Sequence, residues 1–416
     1  MKKFLVVILI LFVVAAISYF ALVDRFGNPT AECAHTYDNS CDTTCNTCGV
    51  ERATAHVFAD ATCTAPKTCL CGATEGEAKG HSLFDATCAE AAGCENCDAK
   101  FGEANLDNHD FASVDEDGKC LCGQYFVARV GNVFFATFSE ALEAWVDGTT
   151  MTLLTDVEYN DAEVEVLNKS VIFDLNGKNI TTTLSRLFIV GSIKIEDVDD
   201  ERVMILTPGE LTIRDSGENG SITSKNTAIT VQDKMTLEGG TLNNPVSIGD
   251  MAIFNMTGGR IIGNGSNGLV QAIMPSGTVN ISGGTLYGRY GISALSGAVI
   301  NISGNPTIIG NDLNERNSGA AIQVLKNVTI NISGTPTLIG GSAGELFLNS
   351  CATLSCQPAE GKWRVRLANA VLFDNGGVFA VPGEGVEFDV SKFESMLEGY
   401  EIVKLEDGSL AFAEVE

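Results

Sequence analysis

The chain has little histidine, few Trp and Tyr residues and few bases. Its 416 residues contain 4 His, 2 Trp and 7 Tyr, and 26 Lys and Arg stand against 53 Asp and Glu, which gives a formal charge of −27. Because nucleic acids and anionic lipids are held by basic patches, this balance argues against both as partners. The few Trp and Tyr leave few platforms for stacking on sugar rings. The length leaves room for two or three domains, and the 45% hydrophobic fraction excludes a disordered chain.

The N-terminus has the pattern of an export signal. Lys2 and Lys3 precede an uncharged, almost wholly apolar run over residues 4–22. A helix of this length nearly spans a hydrocarbon core of about 30 Å. We therefore expect residues 1–24 to form a cleaved signal peptide or an uncleaved membrane anchor, and we favour the anchor because the run is long. Either form places the rest of the chain outside the cytoplasm, secreted or at the cell surface.

Cysteine and histidine are concentrated between residues 33 and 122, where they repeat in order. Each full repeat has one His followed by three Cys, the last two forming a Cys-x-x-Cys or Cys-x-Cys pair that is usually followed by Gly. A degenerate repeat with one His and two Cys ends the series. We define residues 33–123 as the Cys/His module. Its candidate metal ligands are Cys33, His35, Cys41, Cys45, Cys48, His56, Cys63, Cys69, Cys71, His81, Cys88, Cys94, Cys97, His109, Cys120 and Cys122.

One imidazole and three thiols per repeat make the ligand set of a tetrahedral zinc site. The sixteen ligands would fill four Cys₃His sites, and these would be structural because four protein ligands leave no position for a catalytic water. The repeat order does not fix the register, since each His can precede or follow its three Cys, and Cys33 must help to complete an end site. Six disulfides are the alternative in an exported segment. We favour zinc because disulfides do not need a His in every repeat.

The text of the repeats carries a resemblance to a known group of proteins. Residues 60–81 read DATCTAPKTCLCGATEGEAKGH, and the phrase Asp-Ala-Thr-Cys returns at residues 85–88. This pattern resembles a tandem repeat found in exported surface proteins of Gram-positive, mostly anaerobic bacteria. The resemblance covers about residues 33–123. It implies a place at the bacterial surface and no particular activity.

A different repeat fills the second half of the chain. The phrase VNISGGTL at residues 279–286 returns as INISGNPTI at 300–308 and INISGTPTL at 330–338. Its apolar residues alternate with Asn or Thr, which is the period of a half-buried strand, and glycine follows at the corner. Short alternating strands that recur every 20–30 residues or so indicate a β-solenoid whose coils stack their inward residues on one another.

These coils resemble the right-handed parallel β-helix proteins of pectate-lyase-like architecture, over about residues 150–350. The predicted fold is all-β: a right-handed parallel β-helix with a capping helix, preceded by the Cys/His module and an N-terminal hydrophobic helix. We expect an N-terminal cap at 124–156, with a helix over 138–146 that starts in a capping box of Thr137 and Glu140. The β-helix then covers 157–350 and a C-terminal β cap covers 351–416. A local disulfide between Cys351 and Cys356 is expected in the cap.

No catalytic set is recognisable in the predicted solenoid. Histidine is absent after His109, and the acids do not recur at equal places in adjacent coils. Asp233 and Asp250 form the least scattered acidic pair, but we expect them to be solvated turn residues that bond their own backbone. The acidic run at 196–201 is typical of a solvated loop, although a loose cation site is an alternative.

The sequence therefore predicts a non-enzymatic, extracytoplasmic bacterial surface protein. In this hypothesis zinc or disulfides crosslink a spacer, and the β-helix is an adhesion domain that binds a glycan or another surface protein. A polysaccharide lyase or glycosidase built on the β-helix is the alternative, since a β-helix does not decide between binding and catalysis. Metal storage or sensing by the repeats is a third hypothesis, less favoured because closed four-ligand sites usually only fold protein.

Overall fold

A computed structural model describes residues 34–53, 56–198, 201–263, 271–311, 319–367 and 376–415. The expected signal or anchor at residues 1–24, its hydrophobic helix and the candidate ligand Cys33 lie outside the described residues. Within the described ranges, no helix has both the length and the apolar character needed to cross a membrane. The chain divides into two compact units: the first ends at His109 and the second begins at Asp110.

The first unit contains only short antiparallel strands. One sheet has β1 (Phe58–Ala59), β2 (Lys67–Cys69) and β3 (Thr74–Glu75), and another has β4 (Leu83–Phe84), β5 (Ala91–Cys94) and β6 (Cys97–Ala104). Among the described residues of this unit, the buried hydrophobic positions are all cysteines. So small a core cannot offset the loss of chain entropy on folding, so that crosslinks through the cysteines are needed for stability.

The second unit is a parallel β-solenoid of three long sheets. The eight-stranded sheet has β10 (Val157–Glu158), β13 (Asn179–Thr181), β18 (Ser221–Thr223), β21 (Thr241–Leu242), β24 (Arg260–Ile262), β27 (Thr285–Gly288), β30 (Thr307–Gly310) and β33 (Thr337–Ile339). The ten-stranded sheet has β11 (Val164–Val166), β14 (Phe188–Val190), β19 (Ile229–Val231), β22 (Val246–Ile248), β25 (Gln271–Pro275), β28 (Tyr290–Ala294), β31 (Ala320–Val324), β34 (Leu346–Leu348), β36 (Trp363–Leu367) and β38 (Phe393–Ser395).

The fourteen-stranded sheet forms the third wall. Its strands are β7 (Ala128–Val130), β8 (Val133–Phe135), β9 (Thr150–Leu153), β12 (Ser170–Asp174), β17 (Glu210–Arg214), β20 (Lys234–Leu237), β23 (Ile253–Met256), β26 (Thr278–Ile281), β29 (Val299–Ile302), β32 (Thr329–Ile332), β35 (Ala352–Leu354), β37 (Val378–Pro382), β39 (Tyr400–Lys404) and β40 (Leu410–Glu414). From β9 to β34 each coil contributes one strand to each wall, and equivalent strands of successive coils pair in parallel. The parallel solenoid predicted from the repeated phrase is thus confirmed.

The repeated phrase explains why these residues form a stacked coil. In β26, β29 and β32 the buried Val or Ile side chains alternate with half-buried Asn, so that one face packs inward and the other faces outward. Register places Asn280 beside Asn301 and Asn301 beside Asn331. The Nδ2 groups donate to the Oδ1 atoms of the preceding coil at 2.8–2.9 Å, which makes an asparagine ladder along the outer face.

The N-terminal end of the solenoid is closed by the short helix α1 (Phe138–Ala144), together with a 3-10 turn at Phe111–Ser113 earlier in this unit. The predicted capping box is confirmed, because Thr137 Oγ1 accepts from the N–H of Glu140 and Glu140 Oε2 accepts from the N–H of Thr137, both at 3.2 Å. The helix ends two residues earlier than expected. Trp145 leaves the helical path to pack its buried ring 5.8 Å from that of Phe173 in the first coils.

The C-terminal end combines further coils with an antiparallel edge. β36, β37 and β38 continue the parallel pairing past residue 350, and β40 then pairs antiparallel with both β37 and β39. A second 3-10 turn lies at Val390–Lys392. The expected disulfide between Cys351 and Cys356 is wrong. Both thiols are free, and strand β35 runs between them, so that the extended chain holds the two cysteines apart.

Candidate metal centres

Three groups of Cys and His side chains converge within the first unit. In each group every ligand atom lies within 4.8 Å of the others. Cluster 1 has three members, and clusters 2 and 3 have four each. Cluster 1 is His35, Cys45 and Cys48; cluster 2 is Cys41, His56, Cys69 and Cys71; cluster 3 is Cys63, His81, Cys94 and Cys97.

The clusters are staggered along the repeats. Cys41 follows His35 in sequence, but the fold brings it to His56 of the next repeat, and Cys63 in the same way joins His81. The repeat order had left this register open. Spacing could not have fixed it, because the interval from His56 to Cys63 is also the same as that from His81 to Cys88. Clusters 2 and 3 therefore each tie one repeat to the following one.

Tight turns bring the paired cysteines of a repeat to one point. The N–H of Thr47 donates to Cys45 Sγ at 3.5 Å, and the N–H of Asn96 donates to Cys94 Sγ at 3.4 Å. After the first pair, Gly49 has a φ of 72°, a conformation that favours glycine, and its N–H donates to the carbonyl oxygen of Cys45 at 2.9 Å. Glycine after the pair thus permits the turn that closes it.

The distances between ligand atoms fit a tetrahedral ion. With Zn–S of about 2.3 Å and Zn–N of about 2.0 Å, ligand atoms on a tetrahedron lie roughly 3.5–3.8 Å apart. The corresponding distances here are 3.2 Å for Cys48 Sγ to His35 Nδ1, 3.4 Å for Cys71 Sγ to His56 Nδ1, 3.4 Å for Cys97 Sγ to His81 Nδ1, and 3.6 Å for Cys63 Sγ to Cys94 Sγ. One pair is closer: Cys41 Sγ lies 2.6 Å from Cys69 Sγ. The His residues present Nδ1 to the site.

Local hydrogen bonds lower the pKa of two of the thiols. Burial alone would raise the pKa of Cys45, but the N–H groups of Thr47 and Cys48, together with the His35 ring, lower this pKa to about 5. The hydrogen bond from Cys41 and the N–H of Cys71 lower the pKa of Cys69 to about 6. Thiolates, not thiols, ligate metals, so both sulfurs are prepared to bind a cation at neutral pH.

In cluster 3 the pKa of one sulfur is lowered and that of another is raised. The pKa of Cys94 falls to about 6, because the N–H of Asn96 and the His81 ring outweigh the effect of burial. The pKa of Cys63 rises to about 11, first through burial and then through its neighbours Cys97 and Cys94. Several sulfurs crowded at one point cannot all ionise without a positive charge among them. A bound Zn²⁺ would supply that charge and stabilise the thiolate forms.

Aromatic rings pack beside the metal-facing histidines, which the sequence reasoning missed. The ring centroid of His81 lies 5.0 Å from that of Phe101, His56 lies 5.6 Å from Phe58, and His35 lies 6.4 Å from Tyr37. For His35 and His56 the signal was an aromatic residue two positions after the histidine. These contacts help to fix the orientation of exposed imidazoles, which is the role that outer groups have around metal sites.

The remaining candidate ligands fall at the ends of the module. Cys88 is buried in the first unit, which ends at His109, and Cys120 and Cys122 belong to the second unit. The fourth Cys₃His site stays a prediction from the repeat order. Among the thirteen described cysteines no disulfide is formed, and that includes all eight in the three clusters. The clusters can hold a metal ion, and the identification of that ion as zinc belongs to the proposal below.

Acidic residues of the solenoid have structural partners. Asp233 Oδ2 accepts from the N–H of Gly209 at 2.9 Å, which is the turn role expected as its alternative, and Asp250 is exposed in a turn. Of the acidic run at 196–201, Glu196 and Asp197 belong to β15 (Ser192–Val198) and Glu201 begins β16 (Glu201–Thr207), and these two strands pair antiparallel. Comparison of the chain with protein-family models, curated proteins and solved structures finds no match.

Proposed function

We propose that this chain is a non-enzymatic, extracytoplasmic surface protein in which structural zinc ties the Cys/His module into a spacer. The β-helix, right-handed and pectate-lyase-like by its sequence resemblance, is the adhesion domain that binds a glycan or another surface protein. The observation that carries the proposal is the staggered arrangement of the Cys/His clusters. Location outside the cytoplasm rests on the apolar segment at residues 4–22 and on the resemblance of the repeats.

The cluster geometry supports a structural ion over a catalytic one. Clusters 2 and 3 each offer four protein ligands, three of them sulfur, and such closed sets hold the ion without leaving a position for water. One site joins Cys41 to residues 56–71, so the ion bridges repeats that have almost no apolar core of their own. The free energy of metal binding would therefore be folding free energy of the module.

Two acids of the solenoid, Asp174 and Asp215, are engaged in holding its turns. Asp174 is the buried acid nearest the start of the solenoid, and its carboxylate accepts from Arg214 Nε and from the N–H of Ser216, both at 2.9 Å. Asp215 accepts from the N–H groups of Gly177 and Gly220 and so closes a turn. These carboxylates are used to hold corners, whereas a glycosidase needs two carboxyl groups about 5–10 Å apart facing one groove.

A paired screen on the whole chain tests the proposal. The protein is applied to a glycan array and incubated with a panel of polysaccharides under conditions that would reveal lyase or hydrolase products. We expect retention of particular glycans, or of a surface protein, without any cleavage product. Release of unsaturated or reducing ends would overturn the non-enzymatic assignment and establish the carbohydrate-active enzyme instead.

A further inference from the structure

An open cleft of about 430 Å³ lies near the C-terminal end of the solenoid. Residues 335–338, which lead into and form strand β33, make one wall, and residues 357–363 make the other. The eight-stranded sheet ends at β33, whereas the ten- and fourteen-stranded sheets continue with β36 and β38 and with β35 and β37. Where the next coil would add a strand beside β33, the described chain has a loop that stands away from it.

The wall formed by β33 is a sheet edge that carries hydrogen-bonding groups. Thr337 directs its N–H toward β30, where it donates to the carbonyl oxygen of Pro306 at 2.9 Å. Consecutive residues of a strand direct their N–H and C=O groups to opposite sides, so those of Leu338 point to the cleft side. No strand in the described ranges pairs with this edge. Farther along, the N–H of Gly340 donates to Glu345 Oε1 at 3.0 Å, which ends the open stretch.

The opposite wall is held in place from behind. Gln357 Oε1 accepts from the N–H of Asp389 at 2.9 Å, and the carbonyl oxygen of Ala359 accepts from Lys392 Nζ at 3.1 Å. Both donors belong to the 3-10 turn at Val390–Lys392 or to its cap. The cleft is therefore bounded by two anchored walls rather than by a loop resting on the sheet.

From this geometry we infer that the cleft binds an extended peptide segment of a partner protein, which adds to the sheet as the strand missing beside β33. The N–H of one peptide residue would donate to the carbonyl oxygen of Pro336, and its C=O would accept from the N–H of Leu338. The N–H two residues later would donate to the carbonyl oxygen of Leu338. Three extended residues span about 10 Å, close to the length of β33.

The stacking of the sheet also defines the side chain that the peptide needs. Leu286, Ile308 and Leu338 are in register and stack inward through successive coils. Leu338 is itself buried, and a peptide residue in register with it would point the same way, toward apolar neighbours, so we expect an aliphatic residue there. The two neighbours of that peptide residue would point outward, on the same face as Thr337, and can be polar.

A peptide suits the cleft better than a glycan does. Sugar rings stack on exposed aromatic faces, but Trp363 at the cleft is only 3% exposed and packs against Phe393 with ring centroids 6.0 Å apart. One acid and one base, Glu360 and Lys362, are the charged residues of the lining, so the cleft has no bias toward a charged ligand. The backbone edge is the feature that remains for recognition.

A labelled peptide and a pair of variants of the full chain test the inference. The probe is a fluorescein-labelled peptide of sequence PTLIG, which copies residues 336–340, and binding is measured by fluorescence anisotropy. Thr337→Trp fills the cleft from an exposed position. Thr285→Trp places the same ring in the same column of the sheet, two coils away, and is the matched control. A peptide N-methylated at the residue before the leucine removes one backbone donor without changing the side chains.

Saturable binding by the wild-type chain is expected. Thr337→Trp and N-methylation of the peptide should each weaken the affinity about tenfold or more, because one or more backbone hydrogen bonds are lost. Thr285→Trp should leave the affinity unchanged. A probe with Asp in place of the leucine should not bind. The inference is overturned if the Asp peptide binds equally well or if both Trp variants weaken binding to the same extent. It is also overturned if chitotriose, rather than the peptide, binds in a way that Thr337→Trp abolishes.

Discussion

Replacing Cys41 by Ser separates the staggered register from a grouping of ligands within each repeat. Cys41 is buried and belongs to cluster 2, although its own repeat supplies His35 and the pair Cys45 and Cys48 to cluster 1. The substitution removes one of four ligands from cluster 2 and none from cluster 1. Changes to outer groups alone weaken metal sites by about 10- to 100-fold, so loss of a ligand should cost at least about 100-fold, or about 2.7 kcal/mol.

The assay is the rate at which each thiol is alkylated in the reduced, zinc-loaded full chain, mapped by mass spectrometry. In Cys41→Ser we expect Cys69 and Cys71 to react faster, because their ion is held more weakly, while Cys45 and Cys48 keep the wild-type rate. Cys351→Ser, which removes a thiol far outside the module, should change neither pair. Faster alkylation of Cys45 and Cys48, with Cys69 and Cys71 still protected, would refute the staggered register.

Four further changes probe the rest of the molecule. Asn301→Ala removes two ladder hydrogen bonds and should lower the free energy of unfolding by about 1–3 kcal/mol in denaturant titrations, whereas Thr329→Ala, at an exposed site on the next coil, should have little effect. Glu345→Gln breaks a buried pair with a partly exposed Arg364 and should cost about 2–4 kcal/mol at pH 7. Burial opposes ionisation of Glu345, but Arg364 holds the pKa of this carboxyl below the usual range. The stabilisation from the pair is therefore present above the pKa of Glu345 in the unfolded chain and is lost as the pH falls through its pKa in the folded chain. Melting curves at different pH should show that loss in the wild type and not in the variant. Thr137→Ala should cost about 1 kcal/mol by removing the cap of α1. Chelator with reductant should make the Cys/His module protease-sensitive and leave the solenoid folded, as read by limited proteolysis and circular dichroism; melting of both together would contradict the prediction.

Much of the solenoid follows from the repeated phrase. Alternating Val or Ile with Asn in residues 279–281 and 300–302 specifies which face is buried, and the glycine at the corner ends the strand. The capping box could also be predicted, because it is a local pattern of two side chains and the first turn of one helix. What repeats every coil, or lies within one turn, can be predicted from the sequence.

Features set by distant pairing could not be predicted in the same way. The ligand residues were evident, but Cys41 meets Cys69 across 28 positions, and many chain paths agree with the same spacing. The absence of a strand beside β33 could not be predicted either, because residues 355–362 have no sequence pattern that distinguishes a loop from a short strand. The disulfide between Cys351 and Cys356 was wrong because closeness in sequence is not closeness in space across an extended strand.

The content of zinc in the full chain, purified without added reductant, tests the central claim most directly. Metal analysis by mass spectrometry, with thiols counted on the same sample, should give at least three zinc ions per chain, one for each described cluster, and no disulfide within the Cys/His module. A metal-free protein whose module is folded by disulfides would contradict the account.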